Sequence, residues 1–390
     1  MKTEYNFQIL IMTTERELLN LYLKKKEKYV EEKRVENMSK KILIVDDSAL
    51  MRRLVCDIIE SDSRFEVEDF ARNGLDALEL LKKKSYDVVI LDVNMPRMDG
   101  LNLLRELQKH RIKANVLMFS TTTSEGTRET LEALELGALD FIQKPNNAID
   151  ANESKFKEKF IKLLCIVTKL QTSKAVTDFP KTAITREPLK LRKDTKVTGN
   201  KIVAIACSTG GPKALQQVIP KLPGRLNAPV LLVQHMPAGF TQSLAERLNS
   251  MSQLNVKEAE EGDLVQKGWV YVAAGGRHMK VAKSGTNYRI YYTDEPTREG
   301  VKPCANYLFE SLMDSSYDEI SCVVLTGMGA DGTEGIRNLE TKKKVHIIAQ
   351  DEESCAVYGM PKCIVATGLV NDVVTIDKIA EAIIRNVGVS

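Results

Sequence analysis

The sequence predicts an α/β protein of two doubly wound domains: an N-terminal (βα)5 unit and a larger, mainly parallel C-terminal α/β unit. Three observations lead there. Short β-branched runs alternate with longer runs of helical period, the pattern of parallel strands flanked by helices. The alternation breaks once, over 171–199, where Pro180, Pro188, scattered Ser and Thr, and seven Lys or Arg against three acids read as an extended linker. A chain of 390 residues also exceeds what one core serves, at roughly 150 residues per domain.

Residues 1–38 are rich in Glu, Lys and Leu and carry Lys24-Lys25-Lys26-Glu27-Lys28 without a sustained apolar stripe, so they read as an N-terminal extension. Met38-Ser39-Lys40-Lys41 runs straight into the first strand, which makes Met38 an alternative start and leaves the extension outside the native fold. The first domain is expected over 39–170. Its strands fall at Ile42–Val45, Glu66–Phe70, Val88–Leu91, Asn115–Phe119 and Asp140–Ile142, with helices over Ser48–Ser61, Gly74–Lys84, Gly100–Gln108, Ser124–Leu136 and Glu153–Leu170. The second domain is expected over 200–388. Its strands are Ile202–Ala206, Val230–Gln234, Val270–Val272, Tyr288–Tyr292, Cys322–Thr326, His346–Ala349 and Ala366–Leu369, with a hairpin around Met279–Tyr292.

Composition narrows the function classes. Hydrophobic residues at 43%, charged at 28% and aromatic at 6% describe an ordinary globular chain. A net charge of +3 lacks the clustered basic excess of a nucleic-acid binder, and no recognition-helix module is visible. No uncharged apolar run approaches the roughly 18 residues of a membrane span, and no leader is recognised, so direct membrane insertion is not expected and a cytoplasmic location is. The seven cysteines form no C-x-x-C pair, which suggests reduced thiols rather than disulfides or zinc.

In open α/β sheets, functional groups gather at the carboxyl ends of strands. In the first domain, Asp46 and Asp47 end the first strand, Asp92 the third, Ser120 the fourth, and Lys144 follows the fifth. Any one of these could be a solvated cap. Together on successive strands they describe an acidic pocket whose repulsion a cation would relieve, and an all-oxygen set suits Mg2+. A lysine and a hydroxyl beside it could hold an incoming phosphoryl group, with an aspartate as nucleophile.

The segments Ile42-Leu43-Ile44-Val45-Asp46-Asp47-Ser48, Leu91-Asp92-Val93-Asn94-Met95-Pro96-Arg97-Met98-Asp99-Gly100 and Gln143-Lys144-Pro145 resemble the receiver domain of two-component response regulators, over about residues 40–160. The resemblance implies that Asp92 accepts the phosphoryl group. It also implies that Asp47, Asp92 and the Asn94 carbonyl hold Mg2+, that Asp46 supports the metal's water shell, and that Ser120 and Lys144 sense phosphorylation. Members often carry Glu where Asn94 stands; the carbonyl ligand survives that change.

In the second domain, Cys207-Ser208-Thr209-Gly210-Gly211-Pro212 joins a strand to a helix, so Ser208 stands at a sharp turn near a helix start. A glycine-rich turn there could instead cradle a phosphate. The serine reading gains weight from His235, at the end of Val230–Gln234, and Asp331, just past the strand that includes Leu325. A serine hydroxyl needs a base, and the base needs a carboxylate to fix its tautomer. The order Ser, His, Asp differs from that of α/β-hydrolases. Cys207 is a weaker nucleophile candidate, because alternate residues of an extended segment face opposite ways.

Ser208-Thr209-Gly210-Gly211, Gln234-His235-Met236-Pro237, Gly239-Phe240-Thr241, Gly276-Arg277-His278-Met279, Leu325-Thr326-Gly327-Met328-Gly329 and Gly359-Met360-Pro361 resemble the catalytic domain of chemotaxis protein-glutamate methylesterases. The resemblance implies hydrolysis of glutamyl methyl esters on methyl-accepting chemoreceptors and deamidation of receptor glutamines. It casts Ser208 as nucleophile, His235 as base and Asp331 as orienter, with the Met328 N–H as oxyanion donor and Thr209 beside the nucleophile. It further implies a chemotaxis histidine kinase as phosphodonor, Mg2+ for receiver phosphorylation and no cofactor for ester hydrolysis. The competing class is a non-enzymatic response regulator whose output domain binds protein or nucleotide. His278 reads as structural or substrate-contacting, His110 and His346 as surface and strand residues, Trp269 as core, and Lys342-Lys343-Lys344 as a solvated turn.

Overall fold

The computed structural model describes residues 39–121, 123–145, 154–168 and 199–390. The proposed extension and all of the linker except Gly199 lie outside the described residues.

The first unit is a five-stranded parallel sheet in the order β2-β1-β3-β4-β5, from β1 (Lys40–Val45), β2 (Phe65–Ala71), β3 (Val88–Asp92), β4 (Val116–Ser120) and β5 (Asp140–Gln143). Strands covered by helices on both faces need continuous rather than alternating apolar runs, and Ile42 to Val45, like Val88 to Leu91, are almost wholly buried. The helices are α1 (Ala49–Glu60), α2 (Gly74–Lys83), α3 (Gly100–Lys109), α4 (Ser124–Glu135) and α5 (Ser154–Val167). Four of them start where the sequence offers a polar cap: the side chains of Ser48, Asn73, Asp99 and Thr123 accept from Met51, Asp76, Asn102 and Gly126 N–H. These caps end the loops after the strands and leave Asp46, Asp47 and Asp92 at one edge.

The second unit is a seven-stranded parallel sheet ordered β14-β13-β12-β6-β7-β9-β8. Its strands are β6 (Lys201–Cys207), β7 (Val230–Gln234), β8 (Asn255–Glu258), β9 (Trp269–Val272), β12 (Glu319–Val324), β13 (Val345–Gln350) and β14 (Asp372–Val374). A separate antiparallel hairpin joins β10 (His278–Ser284) to β11 (Asn287–Thr293). The helices are α6 (Gly211–Val218), α7 (Phe240–Met251), α8 (Ala305–Ser311), α9 (Thr333–Glu340), α10 (Met360–Val365) and α11 (Ile376–Val387). β6 lies centrally between β12 and β7, so the loops after these three neighbours share one edge.

Two expectations need correction. Ala366–Leu369 is not a strand: it follows α10 as a turn, with Ala366 N–H bonded back to Lys362, and the edge strand comes later, at β14. The expected strand Cys322–Thr326 is shifted to Glu319–Val324, and Leu325 and Thr326 open the loop that reaches the Ser208 turn. β8 escaped the sequence reading because Asn255-Val256-Lys257-Glu258 buries only Val256 and sits at the sheet edge.

The units touch through β5 and α4 on one side and α6 and α7 on the other. Phe141 stacks on Phe240 with centroids 4.4 Å apart. The Arg247 guanidinium donates to both Glu135 oxygens, at 2.7 and 2.9 Å. A cavity of about 70 Å³ between them is lined by Leu134, Gly137, Ala138 and Leu139 of the first unit and by Gly210, Pro212, Lys213 and Ala356 of the second.

Candidate active site and phosphorylation pocket

The β6 strand ends at Cys207, and the turn that follows is tied down on three sides. Ser208 N–H donates to the Thr326 carbonyl at 3.0 Å, the Thr326 hydroxyl donates to the Thr209 carbonyl at 3.0 Å, and Gln234 Nε2 donates to the Ser208 carbonyl at 3.0 Å. Glycine is required where these segments meet. A Cβ on Gly211 would lie 1.9 Å from Gln234 Oε1, and one on Gly327 would lie 2.8 Å from Ser208 Cβ. Thr326 is in turn fixed by Gln350, whose Oε1 accepts its N–H at 2.8 Å.

His235 follows β7, its backbone N–H donating to the Cys207 carbonyl at 3.1 Å, so it stands beside the Ser208 turn. Its Nε2 faces Asp331 Oδ2 at 2.7 Å, while the buried Nδ1 has no partner among the described residues. Asp331 is 1% exposed and saturated with donors: the N–H groups of Ala305 at 2.6 Å, Asn306 at 2.9 Å and Gly332 at 2.9 Å, and the Cys304 thiol at 3.0 Å. Burial pushes this carboxyl upward, but the imidazole, the thiol and the N–H donors outweigh it and hold it below the ordinary carboxylate range.

No hydrogen bond joins Ser208 Oγ to the imidazole among the described residues, so the histidine–aspartate pair is formed and the serine–histidine contact is not. Met328 is half-buried on the loop between β12 and α9, and its backbone N–H donates to no protein acceptor among the described residues. Thr209 is buried beside Ser208. Cys207 is fully buried, its sulfur 3.7 Å from the Val233 carbonyl, and burial drives its thiol far above the ordinary range, which leaves it packed and protonated.

Asp46, Asp47 and Asp92 come together, with one carboxylate oxygen of each within 4.8 Å of the others. The all-oxygen set fits a hard divalent cation such as Mg2+. Lys144 Nζ bridges Asp46 and Asp92 at 2.8 Å each. Burial pushes the Asp92 carboxyl up to about 6 even though Lys144 opposes it. Burial also works against the Lys144 charge, yet the two aspartates outweigh it and raise its ammonium above its ordinary range. Ser120 is buried at the end of β4 and receives the Thr130 hydroxyl at 2.6 Å. The Asn94 amide donates to Glu129 on α4 at 3.1 Å, leaving its carbonyl free of that contact.

Family comparison agrees with both halves. A family model described as CheB methylesterase matches residues 203–383, and one described as response regulator receiver domain matches 42–153. A relative from Halalkalibacterium halodurans, named protein-glutamate methylesterase/protein-glutamine glutaminase, is 42% identical over 88% of this chain and 97% of its own length. Its namesake from Bacillus subtilis is 41% identical over 88% and 97%. This chain belongs to the CheB methylesterase family. As such it is an enzyme, a carboxylic ester hydrolase carrying a response-regulator receiver domain, and the non-enzymatic alternative is overturned. Among solved structures, the Thermotoga maritima CheB methylesterase catalytic domain is 39% identical, covers 48% of this chain and 99% of its own, and gives a TM-score of 0.47. No helix among the described residues of this CheB family member is long and apolar enough to cross a membrane.

The remaining sequence expectations divide. His278 is fully buried against Tyr307, with both ring nitrogens unpartnered among the described residues, so its packing role is what the geometry supports. His110 is a surface residue beside Glu106, and His346 on β13 faces Asp372 at 2.9 Å. Trp269 packs against the core. The lysine run is more than a solvated turn: Lys344 pairs with the buried Glu319 at 2.5 Å, and Lys343 donates to the Ser315 carbonyl. Sequence reasoning missed Gln350, Cys304 and Asn306; nothing in their local sequence marks them, since their partners lie more than 20 positions away.

Proposed function

We propose that this chain is a phosphorylation-activated protein-glutamate methylesterase of chemotaxis, which hydrolyses glutamyl methyl esters on chemoreceptors and deamidates receptor glutamines. The observation that carries the catalytic reading is the clamped Asp331 paired with His235 beside the Ser208 turn, with the spare imidazole Nδ1 unpartnered among the described residues. Ser208 Oγ attacks the ester carbonyl as the imidazole takes its proton, and the carbonyl oxygen gains the negative charge. The Met328 N–H, free of protein acceptors among the described residues, is suited to receive that charge. The protonated His235 then gives its proton to the departing methoxy oxygen, and methanol leaves an acyl-serine. Water, activated by the same imidazole, releases glutamate and restores Ser208. Catalytic hydrogen bonds are often loose before substrate binds, which accommodates the unformed Ser208 contact. Ester hydrolysis on this route needs no cofactor.

In the receiver, the Asp92 carboxylate attacks the phosphorus of a phosphodonor, a chemotaxis histidine kinase in the cell, and the donor's bond to phosphorus breaks. Asp47, Asp92 and the Asn94 carbonyl would hold Mg2+, with Asp46 supporting its waters. A cation held there would neutralise charge around the phosphoryl group. Lys144, released from Asp92, turns to the new phosphate oxygens, and Ser120 follows as the second sensing group. The contact of β5 and α4 with the α6–α7 side supports inhibition by the resting receiver. Asp140 of β5 lies against Thr209, and burial there raises its carboxyl while the Thr209 hydroxyl partly offsets the shift. The division into 39–170, 171–199 and 200–388 and a cytoplasmic location belong to the same reading. Methanol release from methylated receptor, with and without a small phosphodonor and Mg2+, tests both halves. Ser208→Ala is expected to abolish release and Cys207→Ala to preserve it; equal loss in both would move the chemistry away from the serine.

A further inference from the structure

The carboxylate of Asp331 is not held by backbone alone. Its Oδ2 is shared between His235 and the Ala305 N–H, whereas Oδ1 takes three donors that do not touch the imidazole: Asn306 N–H, Gly332 N–H and the Cys304 thiol. A carboxylate offers about four lone-pair directions, so five donors saturate it and oppose rotation of Oδ2 away from the imidazole. Asn306 adds a second restraint from the same segment. Its Oδ1 accepts the N–H groups of Gly332 at 3.0 Å and Gly335 at 2.6 Å, fixing the chain just after Asp331. The approach is close enough that a Cβ on Gly335 would lie 2.6 Å from Asn306 Cα.

We propose that Cys304 and Asn306 are positioning residues for ester hydrolysis, Cys304 by donating its thiol proton to Asp331 Oδ1 and Asn306 by clamping the Asp331 backbone. The inference rests on Asp331 as the orienter of His235. Cys304 is fully buried, so it acts through Asp331 and not on substrate. Burial and the neighbouring carboxylate push its thiol far above the ordinary range, which keeps it an S–H donor. Among the described residues, the titratable groups touching Asp331 are His235 and Cys304. Without the thiol donor the carboxylate becomes more basic and freer to turn. Its stronger negative character then favours the imidazolium over the neutral, proton-accepting imidazole.

The test uses full-length protein, methylated receptor fragment and saturating phosphodonor with Mg2+, and compares Cys304→Ala with Cys304→Ser. Cys304→Ala is expected to lower kcat roughly 3- to 10-fold with KM unchanged, and to move the acid limb of the kcat/KM profile upward by a few tenths of a pH unit. Cys304→Ser, which keeps an O–H donor, is expected to restore both readings to within about twofold. An unmoved acid limb and kcat in Cys304→Ala, or equal impairment in the alanine and serine variants, would overturn the proposal by reducing Cys304 to packing. Asn306→Ala is expected to lower kcat while its thermal melt stays cooperative; full kcat would remove it from the positioning set. Full activity of Asp331→Asn, by contrast, would sink the orienter reading itself, whatever the Cys304 variants do.

Discussion

Two buried aspartates, each beyond or at the end of a parallel strand, are tuned in opposite directions. Asp92 is 5% exposed and Asp331 is 1% exposed, so burial penalises both charges. Asp92 has one lysine and the Val93 N–H, and its carboxyl still rises to about 6. Asp331 has an imidazole, a thiol and three backbone N–H groups, and its carboxyl falls below the ordinary range. The lesson is that burial sets the size of the penalty while the number and geometry of donors set its sign. On the proposed function, the under-donated Asp92 is the acid suited to bond a phosphorus or a cation, and the over-donated Asp331 the one suited to orient its neighbour.

The same Asp→Asn substitution should therefore have unlike consequences at the two positions. Asp331→Asn is expected to lower methanol release about 10⁴-fold, because the imidazole loses the partner that fixes its tautomer. Asp92→Asn should leave basal turnover in place and remove the response to phosphodonor. If closed and open states differ by about 1–3 kcal/mol, the lost response is roughly 5- to 150-fold. Steady-state methanol release checks both, and comparable losses of basal activity would break the distinction.

A third buried acid sharpens it. Glu319 on β12 is opposed by burial but bonded by Lys201, Lys344 and Asn386, and its carboxyl is pulled down to about 2. Because the folded value lies below the unfolded one, the stabilisation is complete above about pH 4.5 and is lost as pH falls toward 2. Glu319→Gln should thus cost at most about 3 kcal/mol near neutral pH, with the gap from the parent chain closing in acid. Urea unfolding at several pH values measures the gap. A pH-independent difference would mean the cost is packing rather than charge.

The smallest effect concerns the contact between the units. The Arg247–Glu135 pair is partly exposed, and such pairs contribute about 0–1 kcal/mol. Arg247→Ala is therefore expected to raise basal, unphosphorylated activity by no more than about fivefold. A fragment starting near Gly199, freed of the whole contact, should exceed that. If the fragment is no faster than the resting full-length chain, the receiver does not restrain the active site.

Much of this was legible in the linear chain. Apolar runs such as Ile42–Val45 and Val230–Gln234 can be buried on both faces only as central parallel strands, so the two sheets and their central strands followed from pattern. Polar residues stranded at the ends of such runs, Asp46, Asp47, Asp92, Ser208 and His235, marked the candidate sites, because a buried sheet has no use for them. Weakly patterned edges were not legible: β8 buries a single side chain, and the strand expected at Ala366–Leu369 is the turn that follows α10. What only the tertiary structure decided is the electrostatic character of the acids. The donors around Asp331 come from residues 25 to 27 and 96 positions earlier as well as from its neighbour, and those of Glu319 from residues as far as 118 positions away. Local sequence fixes whether a carboxylate is present and roughly how deep it lies. The donors that determine its charge state arrive through the packing of distant segments, and hydrogen bonding acts over ångströms of space rather than positions of chain.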